Sequence, residues 1–127
     1  MVIEEDPDLA HKAQAIGLQV LVGDGSNIHL LEQAHVERAR VVVVAISDIV
    51  ATKKIVTGVR SLSSTAHVIV RTRYVREMKA IFDAGANEVI PEEFETSIQI
   101  FHRVLRRYLI PEDRIRDLIA GYRTDHY

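Results

Sequence analysis

Two hydrophobic rhythms take turns along this chain. Short strand-like runs, at Val2-Ile3, Leu18–Val22, Val41–Ile46, His67–Val70 and Glu88–Ile90, are separated by stretches in which apolar residues recur every three or four positions. The first rhythm predicts strands and the second amphipathic helices. Val41-Val42-Val43-Val44-Ala45-Ile46 is the plainest strand signal, six apolar residues in succession with four β-branched valines. A half-solvated sheet would alternate with period two, so this run predicts a strand buried on both faces, in a parallel sheet with helices above and below.

The helices announce their ends. Asp6-Pro7 predicts a start, because Asp6 can accept from an orphan N–H and Pro7 needs none; Leu9, Ala13 and Ile16 follow at helical spacing and Gly17 closes the segment. Ser26 or Asn27 caps a helix carrying Ile28, Leu31 and Ala34, and Asp48 caps another that runs to about Leu62, with Val56, Val59 and Leu62 inward. Ser61–Thr65 reads as loop by composition. Val75, Met78, Ile81 and Phe82 mark the next helix, ended by Gly85, and Pro91 closes the last strand. From Glu92 to Leu109, Phe94, Ile98, Phe101, Leu105 and Tyr108 form one long apolar stripe; Ile110-Pro111 breaks it, and Ile115, Leu118 and Ile119 predict a second, shorter helix. The pattern is β-α-β-α-β-α-β-α-β followed by two helices, which specifies an α/β fold with a doubly wound parallel sheet and right-handed crossovers. The expected divisions are a core over 1–91, a helical pair over 92–120 and a polar, frayed tail over 121–127.

Composition narrows the function. With 127 residues, 47% hydrophobic and 27% charged, the chain is one globular domain with a genuine core. A net charge of −2 argues against a protein built to grip nucleic acid. Zero cysteines exclude disulfides and thiolate metal sites and suit a reducing compartment. No apolar run is long enough to span a membrane, and no basic-then-apolar leader suggests secretion. His11, His29, His35, His67, His102 and His126 show no metal-ligand spacing, so no metal site is expected. Arg103, Arg106 and Arg107 read as an exposed helix face.

Open α/β sheets bind ligands beyond the carboxyl ends of their strands. Those ends offer Glu4, then Asp24-Gly25-Ser26, then Ser47-Asp48, then Arg71. An acid at a strand end can accept from ribose hydroxyls, and the glycines around Asp24 let backbone approach a flat base. Asp6, Ser26 and Asp48 suit plain helix caps equally well. No catalytic group is assigned.

Taken together, these residues resemble a known family. Val2–Pro7, Val22–Ser26, Val44–Asp48, Val70–Arg73 and Gly85–Glu95 are similar, in order, to successive blocks of the RCK/KTN (TrkA-N) domain, and the last block is most similar to the Kef-type cation/proton antiporter branch. The resemblance reaches about Ile119. It implies a Rossmann-like, non-enzymatic regulatory domain at the cytoplasmic face of the plasma membrane, part of a potassium or cation/proton transport protein. It further implies binding of NAD(H), AMP, ADP or ATP in the intact domain. Glu4 would hold the adenosine ribose, Asp24, Gly25 and Ser26 would border the adenine, and Ser47, Asp48 and Arg71 would line the rest of the cleft. A carboxylate at position 4 disfavours a 2′-phosphate, hence NADP. The helix from Glu92 to Leu109 would cross over to a partner subunit in a homodimer, and dimer rearrangement would gate a membrane transporter.

The family also begins with a strand and a G-x-G-x-x-G loop that receives phosphates at a helix N-terminus. None of Gly17, Gly23, Gly25, Gly58, Gly85 and Gly121 forms that motif, so the expectation is a sheet lacking its first strand, in a fragment or a truncated gene product. Phosphate binding is then not expected of these residues by themselves, whereas the ribose and adenine side is retained. In the order 3-2-1-4-5-6 the valine run is strand 4, beside the missing strand 1. Either strand 2 closes up against it or a second chain fills the place. A response-regulator receiver domain is the alternative, since Ala84–Glu88 resembles its last strand region, but no Lys follows Ile90.

Overall fold

The computed structural model describes residues 1–126. The strands are β1 (Val2–Glu4), β2 (Val20–Val22), β3 (Val41–Val44), β4 (His67–Thr72) and β5 (Glu88–Pro91); the helices are α1 (Pro7–Ala15), α2 (Ile28–Gln33), α3 (Ile49–Leu62), α4 (Met78–Ala84), α5 (Glu92–Arg107) and α6 (Glu112–His126). The order is the one the sequence predicts, and every strand pairing is parallel. The architecture is α/β and Rossmann-like, in two sheets: β1 with β2, and β3-β4-β5 with β4 central.

The caps do what their chemistry requires. Asp6 accepts from Asp8 N–H (2.8 Å) and Leu9 N–H (3.5 Å), with Pro7 in the first turn. Asn27, not Ser26, caps α2 through His29 N–H (2.9 Å). Asp48 caps α3 through Val50 N–H (2.8 Å) and Ala51 N–H (3.2 Å), and the buried Thr52 hydroxyl donates back to the Asp48 carbonyl (2.7 Å). α3 extends through Ser61 and Leu62, so the predicted loop begins later, at Ser63.

The core lies between α3, α4 and one face of the three-stranded sheet. Val56, Val59, Val68, Val70 and Ile81 are fully buried there, each worth roughly 1.5–3 kcal/mol relative to exposure. Arg60 closes its far end. Its guanidinium donates to the carbonyls of Gly85 (2.8 Å), Ala66 (2.7 Å) and Ser63 (3.4 Å) and to Asn87 Oδ1, which also accepts from Val68 N–H (2.7 Å).

The valine run departs from expectation in its extent and cover, and one of the two expectations for its free edge is not met. The strand ends at Val44, and it is covered on one face only: Val44 is 4% exposed, whereas Val41 and Val43 are 54% and 64% exposed. Among the described residues no helix lies over the outer face of this sheet: α3 and α4 lie on the inner face, and α5 leaves the end of β5 to pack against α6. Nor does the strand-2 equivalent, β1, close up against β3. β1 pairs with β2 alone and β3 with β4 alone, and no further backbone bond engages Val41–Val44 among the described residues. The two sheets are instead joined beneath by α3. A Cβ on Gly25 would stand 3.4 Å from Ile55 Cδ1 and 3.8 Å from Ile3 Cγ2, and Leu31 of α2 abuts Gly58.

The C-terminal pair is longer than predicted. Phe94 and Ile98 of α5 pack on Ile115 and Ile119 of α6, with Leu105 and Ile110 beside them. α6 continues through Gly121 to His126 where a frayed tail was expected, held by Tyr122 stacked on Phe94 (5.1 Å between centroids) and by Arg123 paired with Glu95 (2.7 Å). Tyr127 lies outside the described residues. No helix is long and apolar enough to cross a membrane among the described residues.

Candidate functional site

The strand-end residues separate into three groups. In the first, Glu4 ends β1, and its carbonyl accepts from Gly23 N–H at 2.9 Å. That bond sets the end of β1 against the Gly23–Ser26 loop that follows β2. The Glu4 carboxylate accepts from Asp6 N–H (3.0 Å), which fixes one oxygen and leaves the other for a second donor. Asp24 accepts from Ser26 N–H (2.8 Å), folding the loop into an Asx-turn. The Ser26 amide above all, then its hydroxyl, hold the Asp24 carboxyl below its ordinary range against an opposing desolvation, with a lesser contribution from the charge of Lys54. Gly23 has φ +154, and Gly25 leaves the backbone bare over Ile55 and Ile3.

The second group surrounds the amino end of α3. Ser47, Asp48 and Ile49 line an open cavity of about 620 Å³ together with Lys53, Arg73, Tyr74, Arg76, Glu77 and Ala80. The Arg76 guanidinium sits 4.3 Å from the centre of the Tyr74 ring. Three cations against two carboxylates give the cavity a positive balance suited to an anionic ligand. Asp48 therefore caps α3 through one oxygen and also lines the cavity.

Arg71 stands apart. It alternates to the outer face of β4, where its guanidinium donates to the Ala45 carbonyl (2.8 Å) and pairs with Glu92 (3.0 Å), outside the lining of that cavity. The cation at the cavity is Arg73, two residues on, with Lys53 and Arg76. The sequence held a signal for it, since Arg71-Thr72-Arg73 carries two arginines and β4 runs through Thr72, which puts the strand end at the second. Among the described residues no group of three metal-ligating side chains occurs. His29, His35, His67 and His102 each face a glutamate instead.

Comparison with known proteins settles the family. The TrkA-N domain model matches residues 1–92. The chain belongs to the TrkA-N family. It is 29% identical over 100 residues to the glutathione-regulated potassium-efflux system protein KefC of Cronobacter sakazakii, covering 79% of this chain and 16% of that protein. Among solved structures, the TrkA-N domain of the inner membrane protein ybaL from Escherichia coli is similar with a TM-score of 0.74 at 25% identity, over 79% of this chain and 75% of that one. The GsuK channel bound to NAD is similar with a TM-score of 0.65 at 26% identity, over 85% of this chain and 18% of that one. This TrkA-N chain spans 16–20% of the length of the curated relatives it matches first.

Proposed function

We propose that this TrkA-N domain is the ligand-sensing, non-enzymatic regulatory part of a potassium or cation/proton transport protein at the cytoplasmic face of the membrane. Its ligand would be NAD(H) or an adenine nucleotide. The observation that carries the reading is the bond between Glu4 and Gly23, which stands a strand-end carboxylate beside a glycine-rich loop. Such a carboxylate accepts from ribose hydroxyls, and the Gly23–Ser26 loop lies within reach of it at the neighbouring strand end. The GsuK channel, bound to NAD in one structure and to ADP in another, supports the ligand class.

The residues present fit one half of such a ligand. Glu4 would hold the ribose, and Asp24, Gly25 and Ser26 would border the adenine. Ser47 and Asp48, with Lys53, Arg73 and Arg76, would face the charged remainder. A G-x-G-x-x-G loop for the phosphates is not among these 127 residues. Regulation would proceed by a population shift between arrangements of a homodimer built on α5 and α6, which requires the ligand to bind one arrangement more tightly.

The test is a thermal-shift titration with NADH, NAD, AMP, ADP and ATP, run on this chain and on a version extended at its amino end by a strand and G-x-G-x-x-G loop. The extended version rises in Tm with at least one of them, and Glu4→Ala abolishes the rise. An extended version that responds to none overturns the nucleotide reading.

A further inference from the structure

The turn between α5 and α6 carries a leucine where its backbone calls for glycine. Ile110 N–H donates to the Leu105 carbonyl (3.3 Å) and Leu109 N–H to the Arg106 carbonyl (3.0 Å), the pair of bonds that closes a helix through one left-handed residue. That residue is Leu109, at φ 58, a conformation glycine adopts freely and other L residues rarely do. The residues on either side are spent on the fold, since Leu105 and Ile110 pack on the core of the helical pair. Leu109 is not: it is 89% exposed, so packing within the fold does not offset the strain, and Tyr108 beside it is 77% exposed. An aromatic and an aliphatic side chain therefore protrude together at the apex of the hairpin.

Charge selects what they meet. Within six residues of Tyr108-Leu109-Ile110 stand five arginines, Arg103, Arg106, Arg107, Arg114 and Arg116, against Glu112 and Asp113, a local balance of +3 in a chain of net charge −2. Glu112 is engaged by His102 (3.1 Å) and Arg106 (3.7 Å), whereas Arg103, Arg107, Arg114 and Arg116 have no ion pair among the described residues. The helix dipole accounts for Arg106 and Arg107 at the end of α5, but it disfavours Arg114 and Arg116 near the start of α6, where acids belong. All five lie within about two turns behind the apex. Apolar side chains in front and cations behind are the arrangement that enters the surface of an anionic bilayer, rings and methyls at the acyl boundary and guanidinium groups at the level of the phosphates.

We propose that the α5–α6 turn docks on an anionic lipid bilayer, with Tyr108 and Leu109 inserted at the headgroup boundary and the arginines against lipid phosphates. The contact uses the turn and not the bodies of the helices, so it is independent of how copies of the chain associate.

Co-sedimentation with vesicles of equal parts phosphatidylglycerol and phosphatidylcholine retains the chain, and vesicles of phosphatidylcholine alone retain it at least tenfold less. Leu109→Gly suits the backbone of the turn and removes the apolar apex; thermal unfolding shows it folded, and it binds the mixed vesicles at least fivefold more weakly. Each arginine near such a surface is worth about fivefold in partitioning, so Arg103→Gln/Arg107→Gln weakens binding at least tenfold. Lys12→Gln/Lys79→Gln, an equal loss of charge at exposed sites elsewhere, binds as the parent does. Because the chain has no tryptophan, Tyr108→Trp places a single reporter at the apex, and its emission shifts to the blue on the mixed vesicles. A chain that binds neither vesicle, or both equally, overturns the proposal. So does binding that Leu109→Gly leaves unimpaired, or that leaves the emission of Tyr108→Trp unshifted.

Discussion

Arg60 lies directly over Gly85: its Nε donates to the Gly85 carbonyl at 2.8 Å, and a Cβ on residue 85 would stand 2.5 Å from Arg60 Cγ. Gly85 also has φ +122, a conformation L side chains rarely adopt. The same guanidinium ties the end of α3 to the turn before β5 through the carbonyls of Ser63, Ala66 and Gly85. Gly85→Ala is expected to cost about 1–3 kcal/mol from strain and crowding together. Arg60→Ala is expected to cost about 1–3 kcal/mol by orphaning partly buried carbonyls. Urea denaturation checks both, and the double variant should lose less than the sum, because removing Arg60 relieves the clash.

Asp48 serves the α3 cap whatever else it binds. Asp48→Ala should destabilise the fold by about 0.5–2 kcal/mol, whereas Asp48→Ser keeps an acceptor at the cap and should lose much less. Chemical denaturation measures the difference. A nucleotide response that fails in Asp48→Ser at unchanged stability would separate the ligand role from the cap.

The Asp24 carboxyl is held below its ordinary value chiefly by the Ser26 amide. Lowered in the folded state, it adds stability that is complete above the ordinary Asp pKa of about 3.9 and is lost as pH falls through the folded value. The Ser26 amide resonance should therefore titrate with a midpoint below that of a free aspartate. Ser26→Ala should raise the midpoint part of the way, because the amide donor stays and the hydroxyl goes. A midpoint at or above the ordinary value would contradict the turn geometry.

Val43 and Ile81 should respond very unequally to loss of apolar surface. Val43 is 64% exposed on the open face of β3, so Val43→Thr should change stability by no more than about 0.5 kcal/mol. Ile81 is fully buried between α4 and the sheet, so Ile81→Ala should cost about 2–5 kcal/mol. Equal losses in thermal denaturation would mean that the outer face is covered in solution.

Local signals carried most of the fold. Asp6-Pro7, Asp48 and Gly85 mark boundaries by chemistry that acts within a few residues, and the structure uses all three as read. The parallel strand order follows from the alternation of strand and helix. The site was legible only in pieces. Glu4 and the Gly23–Ser26 loop meet as neighbouring strand ends should, whereas Arg71, expected to line the cleft with Ser47 and Asp48, pairs with Glu92, and Arg73 lines the cavity beside those two residues. Which arginine faces the cavity depends on where β4 stops, a matter of register against β3 and β5.

For this protein, then, sequence alone determined the kind and order of the segments and which side of each helix is apolar. Only the tertiary structure decided what covers each side. The run Val41–Val44 is as apolar as any buried strand, yet Val41 and Val43, turned outward by strand alternation, are exposed, since among the described residues no helix lies over them and β1 pairs with β2. The apolar character of a side chain is local, whereas its burial depends on a distant segment arriving. Here α5 is spent on α6, so among the described residues the valine strand is covered on one face.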